Sequence, residues 1–283
     1  MRNANRPMTE GSIPGHLLRY AAPAILGDLF QVTYNTVDSV IVGRYAGAAA
    51  LAAVGIASPL MNVAMFFIIG MGIGASVLMS EFYGAGDISA LRREFSTTLA
   101  MGVAFSAVVA LGLFGLSGPL LRLVRTPAEL LADTGRYLRI VALGMVVTSL
   151  YNILAAASRS IGDTRTPLVC LVLGSLANVA LDLAFVAGLG MGVTGAALAT
   201  VLSQALAAGL CALLLLRNAR PLIPERQDRR VDRALLRRTL NFSYASALQQ
   251  AGIYVGKLLV QSAVNPLGVS AIAAFNAVNR LDD

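Results

Sequence analysis

Pro167-Leu168-Val169-Cys170-Leu171-Val172-Leu173-Gly174-Ser175-Leu176-Ala177-Asn178-Val179-Ala180-Leu181-Asp182-Leu183-Ala184-Phe185-Val186-Ala187-Gly188-Leu189 carries a single charged residue, Asp182, along its whole length. A hydrocarbon core of about 30 Å is crossed by roughly 20 apolar helical residues, so this run is long enough to span it. Proline follows Thr166 at the start and a glycine stands near the end, as at the ends of a helix. Five further runs of similar character lie at about Leu17–Tyr45, Ala48–Phe82, Phe95–Leu121, Tyr137–Ser158 and Val193–Leu216, a seventh at Leu240–Val264, and an eighth begins near Val269. The fold class read from this pattern is all-α, a polytopic membrane helical bundle.

Composition agrees. Hydrophobic residues are 57% of the 283 positions, charged residues 13%, and the mean hydropathy is +0.71. Soluble domains carry about a quarter charged residues, so a soluble enzyme is excluded by composition. The net charge of +7 does not point to nucleic acid, because the basic residues gather between the apolar runs. Cys170 and Cys211 lie inside such runs at no metal-ligand spacing and read as small apolar packers. His16 is the only histidine, which removes a histidine-based triad or a multi-histidine metal site. Arg2 and Arg6 resemble the start of a signal peptide, but the apolar run after them is too long, contains Asp28 and Asp38, and ends at no cleavage site. It reads as a retained first span.

Arginines set the orientation. Alternate loops hold fifteen on one side, eight of them within Arg217–Arg238, and five on the other, which places the N-terminus in the cytoplasm. The segment Arg217–Arg238 reads as a basic cytoplasmic linker interrupted by Pro221 and Pro224, with lipid headgroups as its natural contact. Ala46-Gly47-Ala48-Ala49-Ala50-Leu51-Ala52-Ala53-Val54 is echoed by Leu267-Gly268-Val269-Ser270-Ala271-Ile272-Ala273-Ala274-Phe275 at an offset of 221. That offset aligns helix 1 with helix 7 and divides the chain into a six-helix lobe over 1–216, a linker over 217–238, and the start of a second lobe over 239–283. Two copies would need roughly 440 residues, so the second lobe is expected to be truncated here.

Within the spans, Asp28, Asp38 and Asp182 stand out, since a carboxylate at a helix centre costs about 2.5–3.5 kcal/mol on insertion scales and marks function. Asp38 lies six residues inside Arg44 and Asp182 six inside Gly188, which puts both about 9 Å below the same surface. Asn178 shares a face with Asp182, and Tyr34 and Asn35 share one with Asp38. Two carboxylates with an amide oxygen suit a hard monovalent cation, and their mutual repulsion favours uptake of Na⁺ or a proton. Asp28 lies at another depth and is left out. Thr166 is expected to cap helix 5 with Pro167 at its first turn, and Gly70, Gly72 and Gly74 are plausible bends in helix 2.

With these residues placed, the sequence resembles the multidrug and toxic compound extrusion (MATE) family. The resemblance rests on Val37-Asp38-Ser39-Val40-Ile41-Val42-Gly43, Leu51-Ala52-Ala53-Val54-Gly55, Ser80-Glu81-Phe82-Tyr83-Gly84-Ala85-Gly86-Asp87, Gly162-Asp163-Thr164-Arg165-Thr166-Pro167 and Asn178-Val179-Ala180-Leu181-Asp182. It implies a two-lobe inner-membrane antiporter of six plus six helices that exports organic cations or amphipathic drugs against inward H⁺ or Na⁺, with no enzyme chemistry and no other cofactor. It also implies a cation site at Asp38, Asn178 and Asp182, and a substrate cavity lined by Gln31, Tyr34, Tyr137, Asn152 and Thr200. Ser243 departs from the family, where a proline is common. The alternatives are a lipid or oligosaccharide flippase of related fold, which calls for a strongly basic cavity, and a membrane fragment that does not transport.

Overall fold

The computed structural model describes residues 13–123, 126–225, 228, 232–244, 248 and 252. Six long helices follow one another: α1 (Ile13–Ile41), α2 (Ala48–Gly84), α3 (Ile88–Leu123), α4 (Leu131–Ser160), α5 (Arg165–Asp182) and α6 (Gly192–Asn218). A seventh, α7, begins within the described residues and is helical over 233–244. The bundle is all-α, as the apolar runs require. Most of the expected seventh run, the eighth, and the repeat at 267–275 lie outside the described residues.

α2, α3, α4, α6 and α5 with its continuation to Gly188 are long and apolar enough to cross a membrane. α1 is not among them although it has 29 residues, because Asp28, Gln31, Asn35 and Asp38 dilute its apolar content. Three of its hydroxyls cost little: Thr33, Thr36 and Ser39 each donate to the carbonyl one turn back. α4 is central and packs on α2, α3 and α6; α5 lies against α6, and α1 against α5. Large apolar side chains such as Val108, Leu111 and Leu176 remain 60–70% exposed, the face a lipid-embedded bundle presents outward. Two apolar clusters fill the interior. One, at the α1–α2 end, includes Ile41, Ala53, Met145, Val186 and Ala197; the other, at the α2–α3 end, includes Met79, Leu91, Ile153, Cys170 and Cys211.

The turns at the α2–α3 and α4–α5 junctions are built alike. Gly86 and Gly162 take positive φ of 75° and 86°, the left-handed conformation that glycine adopts without strain. The following Asp N–H in each reaches back to the helix it leaves, Asp87 to Phe82 O and Asp163 to Ser158 O. Each Asp carboxylate then accepts from the backbone N–H three residues on, Asp87 from Ala90 (2.9 Å) and Asp163 from Thr166 (3.0 Å). Asp163, not Thr166, therefore supplies the side-chain cap of α5, and the helix starts at Arg165, two residues ahead of Pro167. α2 runs unbroken from Ala48 to Gly84, so its glycines do not end or divide it. Gly74 instead admits Ser243: a Cβ there would stand 2.5 Å from the Ser243 nitrogen.

α3 starts seven residues before the apolar run at Phe95 and α4 six before Tyr137. The helices extend their charged turns beyond the apolar stretch, which sequence hydropathy alone does not register. α7 likewise begins inside the stretch read as linker. Asp232 Oδ1 accepts from the N–H groups of Ala234 (2.9 Å) and Leu235 (3.2 Å) and so starts the helix.

Candidate functional site

α1 and α5 both change winding just past their acidic residues. A π-helical segment continues α1 over Val42–Ala46, and another continues α5 over Leu183–Gly188. The two segments touch. π segments are rare and occur often at functional sites, since the wider turn displaces side chains from the regular α positions. Here they lie beside Asp38, four residues before Val42, and Asp182, immediately before Leu183.

The structure brings Asp38 and Asp182 together as near neighbours across α1 and α5, in line with their matched depths. Asp182 has no exposed surface and Asn178, one turn earlier on α5, has almost none. Asp38 Oδ1, both carboxylate oxygens of Asp182, and both amide atoms of Asn178 are buried with no donor or acceptor among the described residues beyond the two carboxylates facing each other. Five polar atoms so placed are costly in a protein interior, where nearly all such groups are bonded. The five are three carboxylate oxygens and the oxygen and nitrogen of one amide. Among the described residues no group of three or more His, Cys, Asp or Glu side chains could hold a metal ion.

Of the five cavity residues expected from the resemblance, two belong to this region. Tyr34 and Tyr137 both stand close to Asp38 and Asp182, and Tyr137 is part of the apolar cluster that walls the pair. Tyr34 also faces a small cleft with Ser175, Asn178, Ser203 and Gln204. Thr200 is one turn from Gln204 on α6, but its hydroxyl donates to Ala196 O of its own helix (3.0 Å). Gln31 is exposed on α1. Asn152 is placed elsewhere: its amide donates to Thr148 O (2.8 Å), and it lines a separate cleft between α2 and α4 with Ser76 and Arg159. Asp28 is exposed on α1.

Gln204 is the residue that sequence reasoning missed. Its Oε1 is buried without a partner, and its side chain lies beside the Tyr34 phenol. The available signal was an amide within the apolar run Val193–Leu216.

Known proteins are similar to this chain over most of its length. The MatE family model matches residues 23–184, the stretch that holds Asp38, Asn178 and Asp182. The probable multidrug resistance proteins YpnP and YoeA of Bacillus subtilis are 28% and 30% identical over 97% and 93% of this chain. The chain spans 61% and 58% of those relatives' lengths. A crystal structure of MATE in the bent conformation superposes with a TM-score of 0.88 at 25% identity, covering 95% of this chain and 60% of that one. An outward-facing multidrug resistance MATE transporter of the MOP superfamily gives 0.82 at 25% identity over 89% of this chain and 56% of its own. The chain is a multi-pass membrane protein that belongs to the MatE family, the multidrug and toxic compound extrusion transporters whose motifs its sequence carries.

Proposed function

We propose that this chain supplies the cation-binding lobe of a cation-coupled antiporter that exports organic cations or amphipathic drugs by alternating access. The substrate passes unchanged and no bond is made or broken. The observation that carries the reading is the buried pair Asp38 and Asp182 beside Asn178, whose polar atoms find no other partner among the described residues. H⁺ or Na⁺ entering there neutralises the repulsion between the carboxylates and satisfies oxygens that the protein leaves bare. Cation uptake then draws α1 toward α5 and reshapes the cleft that Tyr34, Asn178 and Gln204 line, so substrate and cation compete for one region. Binding energy available in one conformation and not in the other is what shifts such an equilibrium.

The arginine distribution supports an N-terminus and an α2–α3 turn on the cytoplasmic side of an inner membrane, so the carboxylate pair faces the outer half, where an inward cation gradient loads it. The names of the relatives, multidrug resistance proteins, support small amphipathic substrates.

Transport of a fluorescent organic cation in proteoliposomes, under separately imposed Na⁺ and pH gradients, tests this. One gradient should drive uptake, and Asp38→Asn and Asp182→Asn should each abolish it. Gradient-driven transport that survives both substitutions would falsify the coupling role of the pair.

A further inference from the structure

The start of α3 carries three charged residues in a row, Arg92, Arg93 and Glu94, and each one engages the chain beyond α6. Glu94 has no exposed surface. Its Oε1 accepts from the Thr98 hydroxyl (3.0 Å) and from the Thr239 hydroxyl (2.6 Å), the latter 145 residues away on α7. Beside it the Asp232 N–H donates to the Thr97 hydroxyl (3.2 Å), and Arg93 pairs with the Asp232 carboxylate (3.9 Å). Arg92 pairs with Glu225 and donates to Pro221 O. Arg238 donates to both oxygens of Glu81 (2.9 and 3.0 Å) and lies over the Phe82 ring. One turn further on, Ser243 is seated against Gly74 of α2, and its hydroxyl faces Met71 O at 3.5 Å.

These contacts differ in kind. Exposed ion pairs contribute little and yield readily. A buried carboxylate that loses its hydroxyl donors is left with unpartnered oxygens in an apolar setting, which is expensive. The Gly74–Ser243 contact is a backbone approach that cannot slide without removing atoms from van der Waals contact. The outer pairs orient α7, while Glu94 and Gly74 hold it.

We infer that residues 232–244 form one rigid body with the α1–α6 lobe, with Glu94 as the residue that positions α7. The first turns of α7 are then not free of the lobe: when the transporter rocks, they travel with α2 and α3. This rests on the alternating-access reading only for its consequence in transport; the rigid docking stands on the contacts themselves.

Spin labels at Ser89 and Asn241, both exposed, test it in the full chain in lipid nanodiscs, with Cys170 and Cys211 replaced by alanine. The expected result is one narrow distance distribution, unchanged by sodium, by pH or by an organic cation. A second population displaced by more than about 5 Å, one helical turn, overturns the inference. Glu94→Leu should broaden the distribution at least twofold, and Glu94→Gln, whose amide oxygen still accepts from Thr239, should leave it narrow. A Glu94→Leu distribution as sharp as the parent's removes Glu94 from the positioning role.

Should both variants fail to fold, cross-linking of Glu81→Cys with Arg238→Cys in the native background decides, using a short bifunctional maleimide whose spacer replaces the two long side chains, since a disulfide would need the Cα atoms within about 7 Å. Rapid closure with transport intact supports docking; slow closure, or transport lost only on closure, overturns it. Transport is scored separately: an immobile distance without transport sinks the antiporter reading and leaves the docking in place.

Discussion

Among the described residues no group donates to either carboxylate oxygen of Asp182, whereas at Glu94 Oε1 accepts from two threonine hydroxyls and only Oε2 is left without a donor. Both side chains have no exposed surface, and both sit on membrane-length helices of one bundle. What differs is the neighbour set. Asp182 is given a second carboxylate, Asp38, at a range where the two can bond only by sharing a proton, and an amide that finds no partner among the described residues. Glu94 is given donors, with Arg93 and Arg238 near by on the segments it joins. A buried acid surrounded by bare oxygens is arranged for something that comes and goes; one bonded across 145 residues is arranged to stay.

The sharpest way to break this contrast is to neutralise each acid with an isosteric amide. Asp182→Asn should lower cation-driven transport by at least about tenfold, equivalent to about 1.4 kcal/mol, since a cation loses its charged partner. Glu94→Gln should keep transport within about twofold of the parent, because Thr98 and Thr239 can still donate to the amide oxygen. Proteoliposome uptake at matched protein density measures both. Equal losses would mean that Glu94 also binds the coupling ion and that the two clusters do not differ in role.

Sequence reading reached one of these acids and not the other, for a physical reason. Asp38 and Asp182 lie within apolar runs, where a charge stands out, and counting residues from the helix ends matches their depths. Glu94 precedes Phe95, where the third apolar run begins, and so reads as the polar end of a loop; its burial, with Thr239 of α7 on its Oε1, appears only in the fold. The six-helix order was legible in the same way, because hydropathy marks spans. Helix starts were less so, since Asp87, Asp163 and Asp232 begin helices in charged turns that hydropathy leaves out. Asn152 was assigned to the cavity by resemblance, yet its amide bonds its own helix and faces a different cleft. Spacing along a chain does not say which side of a central helix such as α4 a residue occupies.

The next effect concerns backbone approach. Gly74→Ala would place a Cβ 2.5 Å from the Ser243 nitrogen and 2.8 Å from its Cα, atoms that cannot rotate away. Overpacking of this kind costs about 1–3 kcal/mol, visible as a lower melting temperature and as maleimide labelling of Ser243→Cys, which is buried in the parent. Gly102→Ala is the matched control: its Cβ would meet the Ile153 Cδ1 at 2.2 Å, a side-chain terminus that can turn aside. Its melting temperature should fall less. If the two variants melt alike, α7 is not held by the crossing at Gly74.

Helix caps come next. Asp87→Ala and Asp163→Ala each remove a carboxylate that accepts from the first turn of a helix, a loss of about 1 kcal/mol. The two turns share their glycine geometry, so their losses should agree, and thermal unfolding of the single and double variants measures them. Asp87 lies seven residues before Glu94 on the way into α3, Asp163 on the way into α5. If only Asp87→Ala also broadened the Ser89–Asn241 distance, the entry turn of α3 would be part of what positions α7.

The smallest effect expected is at Glu81 and Arg238. Both side chains are about half exposed, at 51% and 46%, so solvent and salt screen the pair, and its coupling should be about 0.5 kcal/mol in a double-mutant cycle. That coupling should shrink as ionic strength rises, while the Glu94–Thr239 contact, buried on both sides, should hold its value. The two cycles therefore separate an orienting contact from a holding one. A Glu81–Arg238 coupling that matched the buried pair and ignored salt would mean that the charged rim anchors α7. Glu94 would then have no special part in the joint.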